Sequence, residues 1–242
     1  MDNQTLALSV IVPIYREAEV ITSFLENLRS NLSSFDETYE VIVVVDGDED
    51  NSTGVLSKIY WSNLRVIVNE VNSGKGYSIR KGVEFAMASK FICFIDGDSD
   101  IDPRGIIDGI KAITVELDLD FVYGSKLHPK SKINYPAYRK FQSWLFAKIV
   151  SNLFHLRTMD TQTGLKVGRS QAMTKVIKQT TLSGFAFDVE FFSLAESFGF
   201  SHSPIPVEVN LSSQSNVNLR QSLTALIDLF KIRTQMKKRF HN

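Results

Sequence analysis

Phe91-Ile-Cys-Phe-Ile-Asp-Gly-Asp98 is five apolar residues stopped by two carboxylates around a glycine. A run this short and apolar reads as a strand buried on both faces, ending in a turn. The same pattern stands upstream. Leu8-Ser-Val-Ile-Val-Pro-Ile14 is one such run. Glu40-Val-Ile-Val-Val-Val45 is another, and it stops at Asp46-Gly-Asp-Glu-Asp-Asn-Ser-Thr53. Leu64 to Val68 is a third strand, and Asp120 to Tyr123 a short later one. Helical spacing fills the intervals. Glu17 to Leu32 places Val20, Ile21, Phe24, Leu25, Leu28 and Leu32 on one stripe. Lys75 to Ser89 and Arg104 to Leu117 are the next two helices. Alternating strands and helices predict an α/β chain with a mainly parallel sheet covered on both faces. Ligands of such sheets bind beyond the carboxyl ends of the strands, where both acidic clusters fall.

The second half is less regular. Tyr138 to Leu156 reads as a long helix carrying Arg139, Lys140 and Lys148. Phe185 to Phe198 is helical, Ile205 to Leu211 a strand and Leu219 to Phe240 a last helix. No repeat or linker divides the chain, so residues 1–218 are expected to form one domain and 219–242 a C-terminal amphipathic helix.

Over 242 residues, 27 Lys and Arg balance 27 Asp and Glu, which argues against a strongly basic nucleic-acid binder. The zero is uneven. Residues 1–135 hold 13 basic and 21 acidic side chains, and residues 136–242 hold 14 and 6. The halves are expected to meet different partners. A single cysteine, Cys93, excludes an internal disulfide and reads as a core thiol. The four histidines share no ligand spacing and read as surface or structural. No run approaches the length of a bilayer-spanning helix, and no signal peptide is expected at the N-terminus.

Asp96 and Asp98 are the first candidates for chemistry. Two carboxylates flanking Gly97 suit a hard cation such as Mg2+ or Mn2+, which keeps positions open for phosphate oxygens. The plain alternative is a polar turn. Asn72-Ser-Gly-Lys-Gly-Tyr-Ser-Ile-Arg-Lys-Gly82 leads into a helix, and it is either a phosphate cradle or a loop with a helix start. It matches neither the P-loop nor the dinucleotide fingerprint. Asp46 is placed to meet a base or ribose, whereas Asp48, Glu49 and Asp50 read as turn residues. Asp188 and Glu190 lie in an apolar helical stretch, and either one of them serves sugar hydroxyls or proton transfer, or both are helix-end charges. Gln162 and Thr163 either face the sugar or form a turn.

Taken in order, Ile11-Val-Pro-Ile-Tyr-Arg-Glu17, Val45-Asp46 with Thr53, Asn72-x-Gly-Lys-Gly-x-Ser78-x-x-x-Gly82 and Asp96-Gly-Asp98 resemble the family 2 glycosyltransferases of the GT-A fold. Gly124-Ser-Lys126, Arg139 with Ser143, Asp160-Thr-Gln-Thr-Gly-Leu-Lys166, Phe187-Asp-Val-Glu190 and Ile205-Pro-Val207 resemble the polyprenyl-phosphate (dolichyl-phosphate) hexosyltransferase branch. The resemblance covers about residues 8–218. It implies a nucleotide-sugar pocket lined by Pro13, Tyr15, Glu17 and Asp46, with Lys75, Gly76, Asp96 and Gly97 beside it. It implies a metal on Asp96 and Asp98, and an acceptor phosphate met by Lys126, Arg139 and Ser143. Asp98, Lys126, Arg139 and Asp188 are then the catalytic candidates. Three departures stand out. Gly47 replaces the second of the family's paired Asp residues, Lys126 replaces an Arg, and the membrane-spanning helices of many relatives have no counterpart here.

The implied reaction is inverting transfer of a hexose to a polyprenyl phosphate, from UDP-glucose in preference to GDP-mannose. A phosphate monoester nucleophile is already anionic near neutrality, so the harder task is to bring two anions together, for which Lys126, Arg139 and Lys166 are candidates. The apolar stripe of 219–242 and its end (Lys231, Arg233, Lys237, Lys238, Arg239) suit an anionic membrane surface, or else a packed helix or an oligomer contact. The expected place is cytoplasmic and peripheral to the membrane. The competing readings are a glycosyltransferase with a non-lipid acceptor and a non-catalytic nucleotide-sugar-binding protein.

Overall fold

The structure is a computed structural model that describes residues 6–134, 148, 150–154, 156–158, 160–184 and 186–210. Arg139, Ser143 and the expected helix 219–242 lie outside the described residues.

Strand β1 (Leu8–Ile14) is followed by α1 (Ile21–Leu32), β2 (Tyr39–Asp46), the short α2 (Ser52–Leu56) and β3 (Leu64–Asn69). Next come α3 (Lys75–Phe85), β4 (Phe91–Ile95), α4 (Arg104–Val115), β5 (Phe121–Ser125) and β6 (Lys132–Asn134). The chain continues through β7 (Leu165–Arg169), α5 (Ser170–Gln179), α6 (Ala186–Ser197), β8 (His202–Pro206) and β9 (Glu208–Asn210). One seven-stranded sheet runs β3-β2-β1-β4-β7-β5-β8, and β6 pairs with β9 in a second, small sheet. The large sheet is parallel except for β7, which runs antiparallel to both of its neighbours.

Period-two alternation divides the core between the two faces. From β4, Phe91, Cys93 and Ile95 point to one cluster with α1 and α4, while Ile92 and Phe94 point to the other with α3, α5 and α6. Both faces are covered, so the strand runs are continuously apolar. Cys93 is a fully buried core thiol, and burial holds its pKa well above the usual thiol value. Helix α1 has no side-chain cap at Val20. Its stripe of Ile21, Phe24, Leu25, Leu28 and Leu32 is buried instead, each side chain worth about 1.5–3 kcal/mol. That exceeds the ~1 kcal/mol of a missing cap.

Two features differ from the sequence expectations and shape the site. β7 was not expected. Its second residue is Lys166, which lies fully buried between Leu165 and Val167, so a charge interrupts the run that would announce a strand. The strand expected over Ile205 to Leu211 is divided at Val207. There the chain leaves the large sheet for β9, with Val207 N–H donating to Ser131 Oγ at 3.0 Å and Val207 C=O accepting from Lys132 N–H at 2.9 Å.

Candidate active site at the carboxyl edge of the sheet

The ends of β1, β2, β3 and β4 open on the same edge. The antiparallel pairing of β4 with β7 sets Ile95 opposite Leu165, so the segment entering β7 lies beside the segment leaving β4. Asp96 N–H donates to the Gly164 carbonyl at 3.1 Å. A side chain at Gly164 would overlap the Asp96 carboxylate, so glycine is what lets the 160–164 loop press against Asp96. Gly97 serves space as well. It is not left-handed, and a Cβ there would sit 2.5 Å from Ile14 Cγ2. The left-handed residue of the turn is Ser99, at φ 63°.

Asp96 is held from inside by Lys75, the first residue of α3. Its Nζ donates to Asp96 Oδ2 at 2.9 Å and lies 2.8 Å from Oδ1. The same ammonium is 3.4 Å from Asp188 Oδ2. Asp188 Oδ1 accepts from Lys166 Nζ, which also donates to the carbonyls of Thr161 at 2.9 Å and Thr163 at 2.8 Å. Burial disfavours the charge on Lys75, yet Asp188 and Asp96 outweigh it and hold its pKa above the usual lysine value. Burial also works against Asp188, and the two ammonium groups overcome it, so its carboxyl titrates below the usual range. For Lys166 burial wins, and its pKa falls.

Outward from Asp96 the charges are alike. Burial, reinforced by Asp96 and Asp100, pushes Asp98 up to about 6. Burial, with Asp98, Asp100, Asp50 and Asp96, pushes Glu17 up to about 7. Glu17 belongs to the turn before α1 rather than to the helix, and its carbonyl accepts from Val20 and Ile21 N–H.

A divalent cation fits this edge. Asp96 Oδ1 is buried and meets the Lys75 ammonium at 2.8 Å without a well-directed hydrogen bond, so its charge is only partly satisfied by the protein. Among the described residues no three His, Cys, Asp or Glu side chains form a closed ligand set. An ion held by Asp96 and Asp98 would take its remaining ligands from diphosphate oxygens and water.

The other candidates fall into place around this centre. Pro13 is buried on β1 opposite Val44. Tyr15 is exposed, donates its hydroxyl to Glu49 at 3.3 Å and lies under the Arg16 guanidinium. Asp46 is 3% exposed, and protein donors already reach both of its carboxylate oxygens. Oδ1 accepts from Asn69 Nδ2 at 3.0 Å and Ser73 N–H at 2.9 Å, and Oδ2 accepts from Gly74 N–H at 2.6 Å. These bonds hold the 72–74 loop. Asp48 and Asp50 accept from the start of α2, as turn residues should.

The glycine-rich segment is built for protein packing rather than as an open cradle. Gly76 N–H donates to the Ser183 carbonyl at 2.7 Å, and a Cβ on Gly74 would lie 2.5 Å from that oxygen. Glu190 pins the same 181–182 loop through the N–H groups of Thr181 and Leu182. Asp188, at 2% exposure and with both oxygens facing lysines, is placed to hold Lys75 and Lys166 rather than to take a proton. Lys166, expected near the acceptor, is instead wholly interior, because β7 lies inside the sheet between β4 and β5 with both faces covered. Lys126 follows β5, with its N–H donated to Asp160. Its half-buried ammonium has no partner among the described residues. Gln162 is half-buried between buried Thr161 and Thr163. Gly164, Lys166 and the Lys75–Asp96 pair were missed as site-shaping elements. The available signal was a lysine inside the apolar triplet Leu165-Lys-Val167.

The profile of "Glycosyl transferase family 2" matches residues 9–177. The chain belongs to that family. It is a glycosyltransferase with the GT-A fold. A dolichyl-phosphate β-glucosyltransferase of Trichomonas vaginalis is 26% identical over 235 residues, covering 92% of this chain and 69% of that protein. The human dolichyl-phosphate β-glucosyltransferase is 31% identical over 214 residues, covering 81% and 65%. The chain thus spans about two thirds of the length of these relatives. Among solved structures, the glucosyl-3-phosphoglycerate synthase of Mycobacterium tuberculosis, in complex with Mn2+, UDP and glucosyl-3-phosphoglycerate, superposes with a TM-score of 0.68. It is 16% identical, with 94% of this chain and 80% of that one covered. No helix among the described residues of this glycosyltransferase is long and apolar enough to cross a membrane.

Proposed function

We propose that this glycosyltransferase transfers glucose from UDP-glucose to a polyprenyl phosphate with inversion, using Mg2+ or Mn2+ held by Asp96 and Asp98. The observation that carries the reading is the outward face of Asp96. There Asp98, Asp100 and Glu17 crowd one another and Asp96 until two of the carboxyls titrate near neutrality. Such crowding is relieved by a cation. When bound, the ion supplies Lewis-acid stabilisation of the charge that develops on the leaving diphosphate. Similarity over most of the chain to dolichyl-phosphate glucosyltransferases supports the acceptor and the sugar. The Mn2+ and UDP of the mycobacterial synthase support the ion and the nucleotide.

The chain's own groups do the rest. Glu17, Tyr15 and Pro13 border the nucleotide side. Lys126 directly follows β5 beside the 160–164 loop, and its ammonium, without a partner among the described residues, attracts the acceptor phosphate, with Arg139 and Ser143 from the segment outside the described residues. Holding the two phosphorylated substrates in line replaces much of the barrier with prior ordering. The anionic acceptor needs no strong base, which agrees with an Asp188 that is occupied elsewhere. The basic C-terminal segment 219–242 is proposed to rest on an anionic membrane, peripherally and on the cytoplasmic side. A donor panel against one polyprenyl phosphate tests the reading. UDP-glucose should give the highest kcat/KM. Preference for GDP-mannose or for a UDP-uronic acid would overturn the assigned sugar, and transfer only to water-soluble acceptors would overturn the assigned acceptor.

A further inference from the structure

Behind the acidic edge, the molecule encloses a lysine and an aspartate that the proposed reaction does not touch. Lys166 has no exposed surface and Asp188 is 2% exposed. Removing such charges from water costs several kcal/mol each even after relaxation, and apolar side chains of similar volume usually serve stability as well or better. The pair therefore calls for another explanation, and the geometry supplies one. The three protons of the Lys166 ammonium have three acceptors: the carbonyls of Thr161 and Thr163, and Asp188 Oδ1. The two carbonyls fix the loop whose Gly164 oxygen accepts from Asp96 N–H and whose lack of a side chain makes room for the Asp96 carboxylate. The aspartate passes the arrangement to Lys75, and Lys75 grips Asp96. Lys166 thus reaches Asp96 twice, once through the backbone and once through alternating charge.

We propose that Lys166, with Asp188, is a positioning residue that holds Asp96 in the orientation that receives the divalent ion, without touching ion, donor or acceptor. The inference rests on the metal reading of Asp96 and Asp98 given above. It differs from a purely structural role in one respect. A structural pair can be exchanged for an apolar pair without consequence, and a positioning pair cannot.

The test is the double variant Lys166→Met/Asp188→Leu in the full chain, read by thermal unfolding and by Mn2+ binding followed through the EPR signal of the free ion. The expected result is an unfolding temperature kept or raised, with Mn2+ bound about tenfold or more weakly, the range typical for groups that orient a ligand. In turnover, kcat should fall while the KM for polyprenyl phosphate stays unchanged. If the double variant fails to fold, Asp188→Asn has the same shape and carries the test, with the same weakening of Mn2+ binding expected. A folded variant that binds Mn2+ as tightly as the wild type overturns the inference. Failure of the metal reading is a separate result. If Asp98→Ala binds Mn2+ like the wild type, or the wild type binds none, the metal site itself is removed and the positioning role with it.

Discussion

Asp96 stands between two groups of charges built in opposite ways. Inward, Lys75, Asp188 and Lys166 alternate in sign, and their contacts are closed by carbonyls of the 160–164 loop. Outward, Asp98, Asp100 and Glu17 repeat one sign, and burial raises the pKa values of Asp98 and Glu17. Compensated charge in an interior is architecture. Crowded like charge at the edge of a sheet marks a candidate ligand site. The same residue type, aspartate, serves both ends, and only its surroundings separate Asp188 from Asp98.

The largest effect should come from the outward side. Asp98→Ala is expected to lower kcat by about a thousandfold, the loss of roughly 4 kcal/mol of charge stabilisation, with the unfolding temperature kept or raised. Turnover near wild type would break the contrast. The inward side should answer in stability. Lys166→Met alone leaves Asp188 short of a partner and should cost about 3–5 kcal/mol in urea unfolding, while the double apolar exchange recovers most of it. Equal stability of the single and double variants would show that the pair is not coupled. Next in size is Lys126→Ala, which should raise the KM for polyprenyl phosphate about tenfold through loss of one charged contact. The donor KM should not change, and an equal change in both would place Lys126 elsewhere.

The smallest effect is in pH. In the metal-free protein Asp98 and Glu17 titrate near 6 and 7, against usual values of 3.8 and 4.5. Raised carboxyl values favour the folded state while the groups are protonated. Their contribution is full below the usual values and is lost as pH climbs through about 6 and 7. The metal-free melting temperature should therefore decline over that window. Saturating Mn2+ or Asp98→Asn should flatten the decline. A melting temperature that rises through the same window without metal would contradict the crowding of these carboxyls.

Much of the fold was legible because the first half repeats one physical pattern. Leu8–Ile14 and Phe91–Ile95 are apolar on both faces and stopped by polar turns, so their observed bounds match the expected ones. The position of Asp96 and Asp98 at the carboxyl edge of the sheet followed from that pattern alone. The rest was hidden by tertiary packing. Lys166 disguises β7, because a buried lysine within a strand is explained only by partners on Thr161, Thr163 and α6. Gly74 and Gly76 carry the composition of a phosphate loop, yet the neighbour they admit is the Ser183 carbonyl. Asp46 and Glu190 looked like free carboxylates, and each is engaged by loop N–H groups that no spacing in the sequence announces.

The central claim is that the outward carboxylates serve metal-dependent sugar transfer to a lipid phosphate. Its most direct test is transfer of radiolabelled glucose from UDP-glucose to polyprenyl phosphate by the purified chain, counted in the organic phase with Mn2+ and with EDTA. The expected result is labelled lipid with Mn2+, none with EDTA and none from Asp98→Ala. Equal label in EDTA, or none with Mn2+ from any nucleotide-sugar donor, would contradict it.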